Sequence, residues 1–424
     1  MNFAESTRYL YSLGNEVSAM KLGLENIRKL LYALGDPQNN YLKVQVAGTN
    51  GKGSVCAFLD SISVRAGINT GLYTSPHLIS ITERIKIGGK DISEDDFARD
   101  ATNVRETAES LLQRGEIEYR PTFFEQLTAI ALAAFAEAKV DLAILETGLG
   151  GRLDATTAAT AEIAAITQID IDHQEYLGET LAEIATEKAA IIHAGSTVVV
   201  AKQKSVPKKV IQDRLEALGL DGRFAERVSI TCGSGWLKFG TDKDEYEIKS
   251  LGLLGGHQTE NTKVAILLAE TLQQHFVISR QNIIDGLENA RHPGRLEFQG
   301  KYLFDGAHNV AGAKALRAYL DDFVPQPITL VFGAMKDKNV DEIIEILLPK
   351  AGSLILTRPN NERAVTAKQI AECVPENYGH DRVFLTERVD DAIKKADEIT
   401  GKDRVILVTG SLYLVGEVKK ILNN

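Results

Sequence analysis

Cysteine is scarce in this sequence, with 3 residues among 424. Cys56, Cys232 and Cys373 lie far apart, and none belongs to a C-x-x-C pair. This spacing excludes the disulfide framework of small secreted proteins and a cysteine-based zinc site. We therefore expect reduced thiols and a cytoplasmic protein.

Long hydrophobic runs and an excess of basic charge are also missing. No apolar stretch approaches the roughly 20 residues that a membrane-spanning helix needs, and residues 1–8 lack the basic and apolar regions of a secretory signal. The formal net charge is −10, with lysine and arginine dispersed along the chain. This balance argues against nucleic acid or an acidic membrane as partner, and we expect a monomer that acts on small molecules.

A glycine-rich turn stands between an apolar strand pattern and a helical pattern near the start of the chain. Its residues are Gly48, Thr49, Asn50, Gly51, Lys52, Gly53 and Ser54. The order strand, turn, helix places free backbone N–H groups and the positive end of a helix dipole around one anion-sized hollow. Lys52 adds a positive charge and Ser54 a hydroxyl suited to Mg²⁺. The segment departs from G-x-x-x-x-G-K-[ST], because Val46 replaces the first glycine and Gly53 separates lysine from serine. We interpret it as a phosphate-binding loop for ATP.

Strand and helix patterns alternate along most of the chain, which predicts an α/β fold with two or three domains. Residues 1–290 are predicted to form an N-terminal P-loop ATPase-like domain with a parallel sheet and a small β-hairpin insertion at 236–248. Residues 296–424 are predicted to form a C-terminal doubly wound, Rossmann-like α/β domain. Pro293 and Gly294 indicate a hinge at 291–295. The strands are predicted at 42–47, 70–73, 140–146, 163–169 and 197–201, then at 302–305, 328–332, 353–357, 382–385 and 405–409; the helices are predicted at 4–13, 24–34, 54–66, 94–114, 124–138, 181–193, 258–274 and 280–289.

Polar residues follow the predicted parallel strands, at the sheet edge where ligands bind in such folds. Residues 74–78 follow strand 70–73, Glu146 ends strand 140–146, and Asp172 and His173 follow strand 163–169. Mg²⁺ takes oxygen ligands, commonly one or two carboxylates together with phosphates. We therefore predict a metal role for Glu146. We also predict a functional role for His173, because it stands beside Asp172 at the same sheet edge. The alternative is that His173 is a hydrogen-bonded core histidine.

Lys188 lies on the apolar stripe of the predicted helix 181–193, together with Ile184, Ala185 and Ile191. Burying an ammonium group is unfavourable unless it is paired. Such a lysine can act as a nucleophile, or it can take up CO₂ as a carbamate and become a carboxylate ligand for a metal. The alternative is a lysine whose tip reaches solvent, and the residues alone favour that alternative.

Three strands of the second predicted domain also end in polar segments. Asp305 and His308 follow strand 302–305, residues 333–338 follow the next strand, and Ser411 follows the last. A carboxylate there can bind ribose hydroxyls, and an imidazole can face phosphate or substrate. Because neither domain alone carries the full set of groups, we expect the second domain to close over the first.

Ten ordered segments carry a recognisable pattern: 48–54 (GTNGKGS), 75–78 (SPHL), 83–85 (ERI), 148–156 (GLGGRLDAT), 172–173 (DH), 187–188 (EK), 255–258 (GGHQ) with Asn261, 293–297 (PGRLE), 305–309 (DGAHN) and 409–411 (TGS). In this order they resemble the folylpolyglutamate synthases of the Mur ligase superfamily, including the bacterial enzymes that are also dihydrofolate synthases. The similarity extends from the Asn26 helix to Ser411.

The resemblance implies ATP-dependent amide formation. A carboxylate attacks the γ-phosphate to give an acyl phosphate, and the amine of L-glutamate then displaces phosphate. It implies ATP, two Mg²⁺ ions and a carbamylated Lys188, and it leaves room for a monovalent cation. The catalytic residues it implies are Lys52, Lys188 and His308. The nucleotide-binding residues it implies are 48–54, Gln258, Asn261, Arg295 and Asp305. The metal-binding residues it implies are Ser54, Ser75, Glu146, His173 and Lys188.

The resemblance also implies a site for a folate or for dihydropteroate. Its substrate residues are Thr122, Phe124, Arg152, Asp154 and Ala155, with His308 and Ser411 near the incoming glutamate. Phe123 or Phe124 could stack on a pterin ring, although a core phenylalanine at the start of a helix is equally compatible. The chain departs from the family pattern at Ala190, where the family commonly has glycine, at Thr157, where asparagine is frequent, and at Val310, where proline is usual.

Other functions stay open at this point. A Mur ligase that builds peptidoglycan generally carries a separate N-terminal domain, for which the roughly 40 residues before the phosphate loop leave no room. A small-molecule kinase would not need a complete second α/β domain. A non-catalytic nucleotide-regulated module would not need Lys52, Glu146 and His173 together. The sequence also leaves open whether the chain makes dihydrofolate, extends folates, or does both.

Overall fold

A computed structural model describes residues 1–14 and 23–423. Several of its helices begin at side chains that satisfy the first free N–H groups: Asn2, Thr122, Thr180 and Ser279 each form a capping box. The helices along the described residues are α1 (Phe3–Ser12), α2 (Glu25–Ala33), α3 (Lys52–Arg65), α4 (Glu94–Gln113), α5 (Phe123–Glu137), α6 (Gln174–Leu177), α7 (Leu181–Ala189), α8 (Ser205–Leu218), α9 (Gln258–Leu272), α10 (Arg280–Asn289), α11 (Val310–Phe323), α12 (Val340–Leu347), α13 (Ala367–Glu372), α14 (Val389–Ile399) and α15 (Leu412–Leu422).

The strands in chain order are β1 (Leu42–Ala47), β2 (Thr70–Tyr73), β3 (Ile85–Ile87), β4 (Lys90–Asp91), β5 (Leu142–Glu146), β6 (Ile163–Ile166), β7 (Thr197–Val200), β8 (Gly222–Phe224), β9 (Ser229–Gly233), β10 (Trp236–Gly240), β11 (Glu245–Ile248), β12 (Glu297–Gln299), β13 (Tyr302–Phe304), β14 (Ile328–Phe332), β15 (Ala351–Leu356), β16 (Val383–Leu385) and β17 (Ile406–Thr409). Six of the described strands are largely apolar runs in which every residue is buried: β2, β5, β6, β13, β14 and β17.

The chain divides into two compact units. The first comprises Met1–Ser75, Ile81–Gly252 and Thr259–Arg291, and the second comprises Pro76–Ser80, Leu253–Gln258 and His292–Asn424. The predicted N-terminal domain, residues 1–290, includes the segments Pro76–Ser80 and Leu253–Gln258, whereas both group with the second unit. Leu78 gives a physical reason for the first segment, because it packs against the apolar cluster that contains Phe304.

The main sheet of the first unit has the strand order β4-β3-β2-β5-β1-β6-β7-β8 among the described residues. Neighbours from β2 to β8 pair in parallel, which confirms the predicted parallel sheet. The antiparallel edge formed by β3 and β4 is not among the predicted elements. Gly88 and Gly89, with φ of 56° and 78°, form its turn, and a glycine pair of this kind is a hairpin signal.

Side chains alternate between the two faces of this sheet along each strand, and two apolar clusters cover one of these faces. On that face, the cluster of α4 and α5 covers one half, and the cluster of α7 and α8 covers the other. In the strand register, Gln45 of β1 is paired with Leu145 of one cluster and with Ala164 of the other. Gln45 therefore occupies a polar position between two apolar clusters.

A separate antiparallel sheet in the first unit has the order β11-β10-β9. The sequence predicts its hairpin at 236–248 but not β9, whose residues are all exposed. The fully buried carboxylate of Glu270 in α9 anchors this sheet. It accepts hydrogen bonds from the hydroxyls of Thr241, at 2.6 Å, and Tyr246, at 2.9 Å, and it pairs with Arg223.

The sheet of the second unit has the order β12-β13-β17-β14-β15-β16, parallel except for the β12 edge. The helices α11, α12 and α13 pack on one face, and α14 and α15 pack on the other. Helices on both faces of a mostly parallel sheet confirm the predicted doubly wound architecture.

Some predicted boundaries are wrong. The helix predicted at 181–193 ends at Ala189, where the chain turns toward Gly195, whose φ is 82°. The helix α8 was not predicted, although its buried face carries Pro207, Ile211 and Leu215 at helical spacing. Across residues 1–14 and 23–423, no helix combines the length and the apolar character that crossing a membrane requires.

Candidate active site

The phosphate loop joins β1 to α3. Gly48 and Gly51 have φ of 152° and 92°, and Gly51 is the N-cap of α3 without a side-chain capping hydrogen bond. The N–H groups of Thr49 and Asn50 donate to the carbonyl of Gln168, at 2.9 and 3.1 Å, which fixes the loop to the segment after β6. The start of α3 thus presents uncapped N–H groups, the arrangement that binds phosphate.

Two lysines converge on the carbonyl oxygen of Gly48. Lys52 Nζ lies 3.2 Å from it, and Lys188 Nζ lies 2.9 Å from it. Lys188 is only 4% exposed, which confirms its predicted place on the apolar face and contradicts the alternative of a solvent-exposed tip. Burial, the larger cause, and the charge of Lys52 together lower the pKa of Lys188 to about 7, against the opposing charges of Asp172 and Asp154. A neutral or chemically modified Lys188 relieves the repulsion between two ammonium groups at one oxygen.

The candidate metal ligands lie in the first unit. Glu146 is buried, and its Oε2 accepts from the backbone N–H of Ser75 at 3.2 Å. Its charge also helps to raise the pKa of the Cys56 thiol, after burial, the larger cause, which places Glu146 near the start of α3. Ser54, 6% exposed, lies in the first turn of the same helix.

His173 has a left-handed backbone with φ of 51° and begins the short helix α6. Its Nε2 lies 3.9 Å from Asp172 Oδ1. Within the described residues, no three His, Cys, Asp or Glu side chains form a metal cage. Hydroxyl and carboxylate oxygens that leave positions for phosphates and water are what Mg²⁺ requires, so Ser54 and Glu146 fit this ion.

Two candidate nucleotide residues stand at the start of α9. Asn261 Oδ1 approaches the phosphate loop closely, because it lies 2.3 Å from the position that a Cβ at Gly51 would take. Gln258 is 1% exposed, and its Nε2 lies 3.0 Å from His257 Nε2. Burial lowers the pKa of His257 to about 4, with Arg295 acting in the same direction, so His257 is neutral at physiological pH.

In the second unit, Asp305 and Arg295 are neighbours. The Asp305 carboxylate accepts from the N–H groups of Leu296 and Ala307, both at 3.0 Å. Burial raises the pKa of Asp305, while Arg295 and these hydrogen bonds oppose the rise. An Nη1 atom of Arg295 lies 3.1 Å from the Cβ position of Gly306.

His308 and Ser411, predicted to lie near glutamate, are on adjoining segments of the second unit. The Nδ1 of His308 lies 2.8 Å from the carbonyl oxygen of Gly306, so an Nδ1–H donating to it leaves Nε2 as the acceptor nitrogen. The N–H of Gly410 donates to the carbonyl of Ala307 at 3.1 Å. Ser411 caps α15 by accepting from the N–H of Tyr413.

The predicted substrate residues at 152–155 lie in one tightly bonded loop. Asp154 is buried, and its oxygens accept from the N–H groups of Leu149 and Thr156 at 2.9 and 3.0 Å. Arg152 pairs with Glu187 at 2.9 Å, and its N–H donates to the Glu187 carbonyl at 2.9 Å. Ala155 is 4% exposed at the start of the turn Ala155–Ala159. The loop therefore docks directly on the end of α7 that carries Lys188.

The structure separates the two candidate aromatic residues. Phe123 is buried in the core, with its ring stacked 5.8 Å from that of Tyr11 and the Arg84 guanidinium 5.6 Å from its centroid. Phe124 is partly exposed next to Gly148 and 5.9 Å from the Tyr73 ring. Thr122 caps α5 in front of them. Phe124 is thus the one available to a ligand.

Gln45 is a polar residue near the site that is not among the predicted site residues. Its Nε2 donates to the hydroxyls of Thr156 and Thr157, each at 2.8 Å, which joins the loop at 148–157 to the strand before the phosphate loop. The available signal was the position of Gln45 between Val44 and Val46, in a strand whose other polar residue is Lys43.

Two family models match the chain. The "Mur ligase middle domain" matches residues 46–269, and the "Mur ligase, glutamate ligase domain" matches residues 294–412. Among curated relatives, the chain is 34% identical to the dihydrofolate synthase/folylpolyglutamate synthase of Bacillus subtilis over 95% of both chains. It is 33% identical to a probable bifunctional folylpolyglutamate synthase/dihydropteroate synthase of Haloferax volcanii, covering 99% of this chain but about half (50%) of that relative.

Solved structures match over the whole chain. A Mycobacterium tuberculosis folylpolyglutamate synthase complexed with ADP superimposes with a TM-score of 0.90 and 30% identity, covering 100% of this chain and 98% of that one. The Escherichia coli FolC in complex with DHPP and ADP gives 0.88 and 27%, with coverage of 100% and 98%. A Yersinia pestis bifunctional folylpolyglutamate synthase/dihydrofolate synthase with AMPPNP and Mn ion gives 0.87 and 28%, with the same coverage.

Proposed function

Because the chain belongs to the folylpolyglutamate and dihydrofolate synthase family of Mur ligases, we propose that it is an ATP-dependent ligase that adds L-glutamate to a folate or dihydropteroate carboxylate. The observation that carries the proposal is the convergence of Lys52 and Lys188 on Gly48 beside an uncapped helix start. Such a concentration of donors and positive charge suits the phosphates of a nucleotide.

The phosphate loop has the first role in the reaction. The N–H groups at the start of α3 and the Lys52 ammonium hold the β- and γ-phosphates. The γ-phosphate is then attacked by the substrate carboxylate, which gives an acyl phosphate and ADP. Mg²⁺, when bound, supplies charge neutralisation at the phosphates, and Ser54, Glu146, Ser75 and His173 are the residues that would hold its two ions.

Lys188 is proposed to carry a carbamate. Its neutral amine adds to CO₂ with loss of one proton, and the product is a carboxylate in a position where two cations otherwise crowd one carbonyl. The burial of Lys188 and its pKa of about 7 support this assignment, since the reaction needs the neutral amine. A monovalent cation belongs to the same proposal, without a residue assigned to it.

The carboxylate substrate is proposed to lie between Phe124 and the loop that holds Arg152, Asp154 and Ala155. The nucleotide is proposed to contact Gln258, Asn261, Arg295 and Asp305. The amine of glutamate attacks the acyl carbon and expels phosphate, and His308 Nε2 is proposed to receive its proton. The contact of Nδ1 with the carbonyl of Gly306 supports this role, because it leaves Nε2 as the basic nitrogen. Ser411 is proposed to hold a glutamate carboxylate.

ADP release measured with dihydropteroate and with tetrahydrofolate, each with and without L-glutamate, tests the proposal. We expect amide product and ADP in equal amounts only when both substrates are present. Lys52→Ala should lose turnover by about 100-fold or more, whereas Lys90→Ala, at an exposed edge strand, should not. ADP formed without glutamate, together with a stable phosphorylated product, would instead identify a kinase. The molar mass of the active protein, measured by light scattering, tests the expected monomeric state.

A further inference from the structure

Gln45 is a buried polar side chain for which the proposed mechanism gives no role. It is fully buried in the central strand β1 and lies three residues before the phosphate loop. Its amide nitrogen donates to Thr156 Oγ1 and Thr157 Oγ1, both at 2.8 Å. These partners are more than 100 positions away in the chain (|i−j| of 111 and 112), so Gln45 joins two separate segments of the first unit.

The two hydrogen bonds at position 45 need a side chain that donates two hydrogens, as the amide of Gln45 does. The Thr156 hydroxyl donates to Asp154 Oδ1, and the Thr157 hydroxyl donates to the Gly151 carbonyl at 2.7 Å. Each hydroxyl has one hydrogen, so both can only accept from Gln45. The Nε2 group has two hydrogens and supplies one to each threonine. A glutamate at position 45 would place the lone pairs of its carboxylate against the lone pairs of the two threonine oxygens.

Stability does not account for this arrangement. Gln45 Oε1 has no hydrogen-bond partner among the described residues, and a buried polar atom left in this way disfavours folding. An apolar side chain between the two flanking clusters would avoid that loss. What the glutamine adds is a fixed distance between β1 and the loop that carries Asp154.

We propose that Gln45 is a positioning residue for the carboxylate substrate. It holds the Asp154–Thr157 turn at a fixed distance from the phosphate loop, so that the bound carboxylate meets the γ-phosphate. This inference rests on the proposed function, since it concerns the placement of that substrate. It assigns Gln45 no contact with substrate or nucleotide.

The experiment compares Gln45→Leu and Gln45→Glu with Gln38→Leu in the full-length chain. Gln38 is a matched control because it is also a buried glutamine with an unpaired Oε1, and its Nε2 donates to Asp36 at 3.0 Å, away from the loop. We measure KM for dihydropteroate or tetrahydrofolate, KM for ATP, the affinity for ADP by calorimetry, and Tm. Gln45→Leu should raise KM for the carboxylate substrate by about tenfold while KM for ATP stays within about twofold.

Gln45→Glu should have a larger effect on KM for the carboxylate substrate than Gln45→Leu, because its carboxylate repels the threonine oxygens. Gln38→Leu should change Tm alone. The proposal is overturned if Gln45→Leu leaves all KM values unchanged, or if it raises KM for ATP and for the carboxylate substrate equally. A wild-type chain that binds ADP but ligates no glutamate would refute the proposed function instead. If Gln45→Glu does not fold, Thr156→Val and Thr157→Val remove the same hydrogen bonds from the other side, and unchanged KM values there also overturn the proposal.

Discussion

Replacing Gly51 with alanine tests how closely the phosphate loop and Asn261 depend on each other. Gly51 has φ of 92°, and a left-handed backbone costs a residue with a Cβ about 1–2 kcal/mol. The new Cβ would also lie 2.3 Å from Asn261 Oδ1. Ordinary contact begins near 3.4 Å, so the loop or Asn261 must move by about 1 Å, a displacement that can reduce turnover by roughly 100-fold.

Gly67→Ala is the matched control. Gly67 also has a left-handed backbone, with φ of 77°, but a Cβ there meets nothing within 4 Å. Both variants should lose about 1–2 kcal/mol of unfolding free energy, measured by urea titration. Only Gly51→Ala should lose affinity for ADP, measured by calorimetry, and turnover. If both variants bind ADP as the wild type does, the close approach of Asn261 to the loop does not affect nucleotide binding. That result would refute the prediction.

Three further predictions follow from single side chains. Lys188→Ala should reduce turnover by about 100-fold or more, with partial recovery in added formate or acetate; an unmodified ammonium at Lys188 in a metal-loaded crystal would contradict the carbamate. Phe124→Ala should raise KM for the pterin substrate with a small change in Tm, whereas Phe123→Ala should lose about 3–5 kcal/mol of stability; the opposite pattern would exchange their roles. Burial raises the pKa of Asp60 above 3.8, its hydroxyl partner Thr70 opposing the rise. The folded chain therefore holds that proton more tightly than the unfolded chain, and stability falls as pH rises from 3.8 through the folded pKa. Asp60→Asn should raise Tm at pH 7, and the gain should vanish below about pH 3.8; a gain that persists there would exclude this cause.

Short-range patterns in the sequence predict most of the fold. The strands at Leu42–Ala47, Thr70–Tyr73 and Ile328–Phe332 and the helix Arg280–Asn289 have the predicted boundaries. Each is a short apolar run or a periodic segment with a glycine, proline or capping residue near its end. The strand Ser229–Gly233 was missed because its residues are exposed and its pairing, not its composition, makes it a strand.

The candidate site was predictable only where one element carries the signal. Lys188 could be placed on an apolar helix face from helical spacing alone. The contact of Lys188 with Gly48, 140 positions away, depends on how β1 and α7 pack. The same holds for Gln45 and Thr156, because a period within one strand says nothing about which distant loop will cover it.

The small sheet β11-β10-β9 has a consequence for optical experiments, because Trp236 in β10 is the chain's single tryptophan. Its fluorescence reports on that sheet and not on the phosphate loop. Glu270 ties the sheet to α9 through Tyr246 and Thr241. The unfolding midpoints measured by tryptophan fluorescence and by far-UV circular dichroism should therefore coincide. Glu270→Gln should lower the midpoint measured by fluorescence below the midpoint measured by circular dichroism.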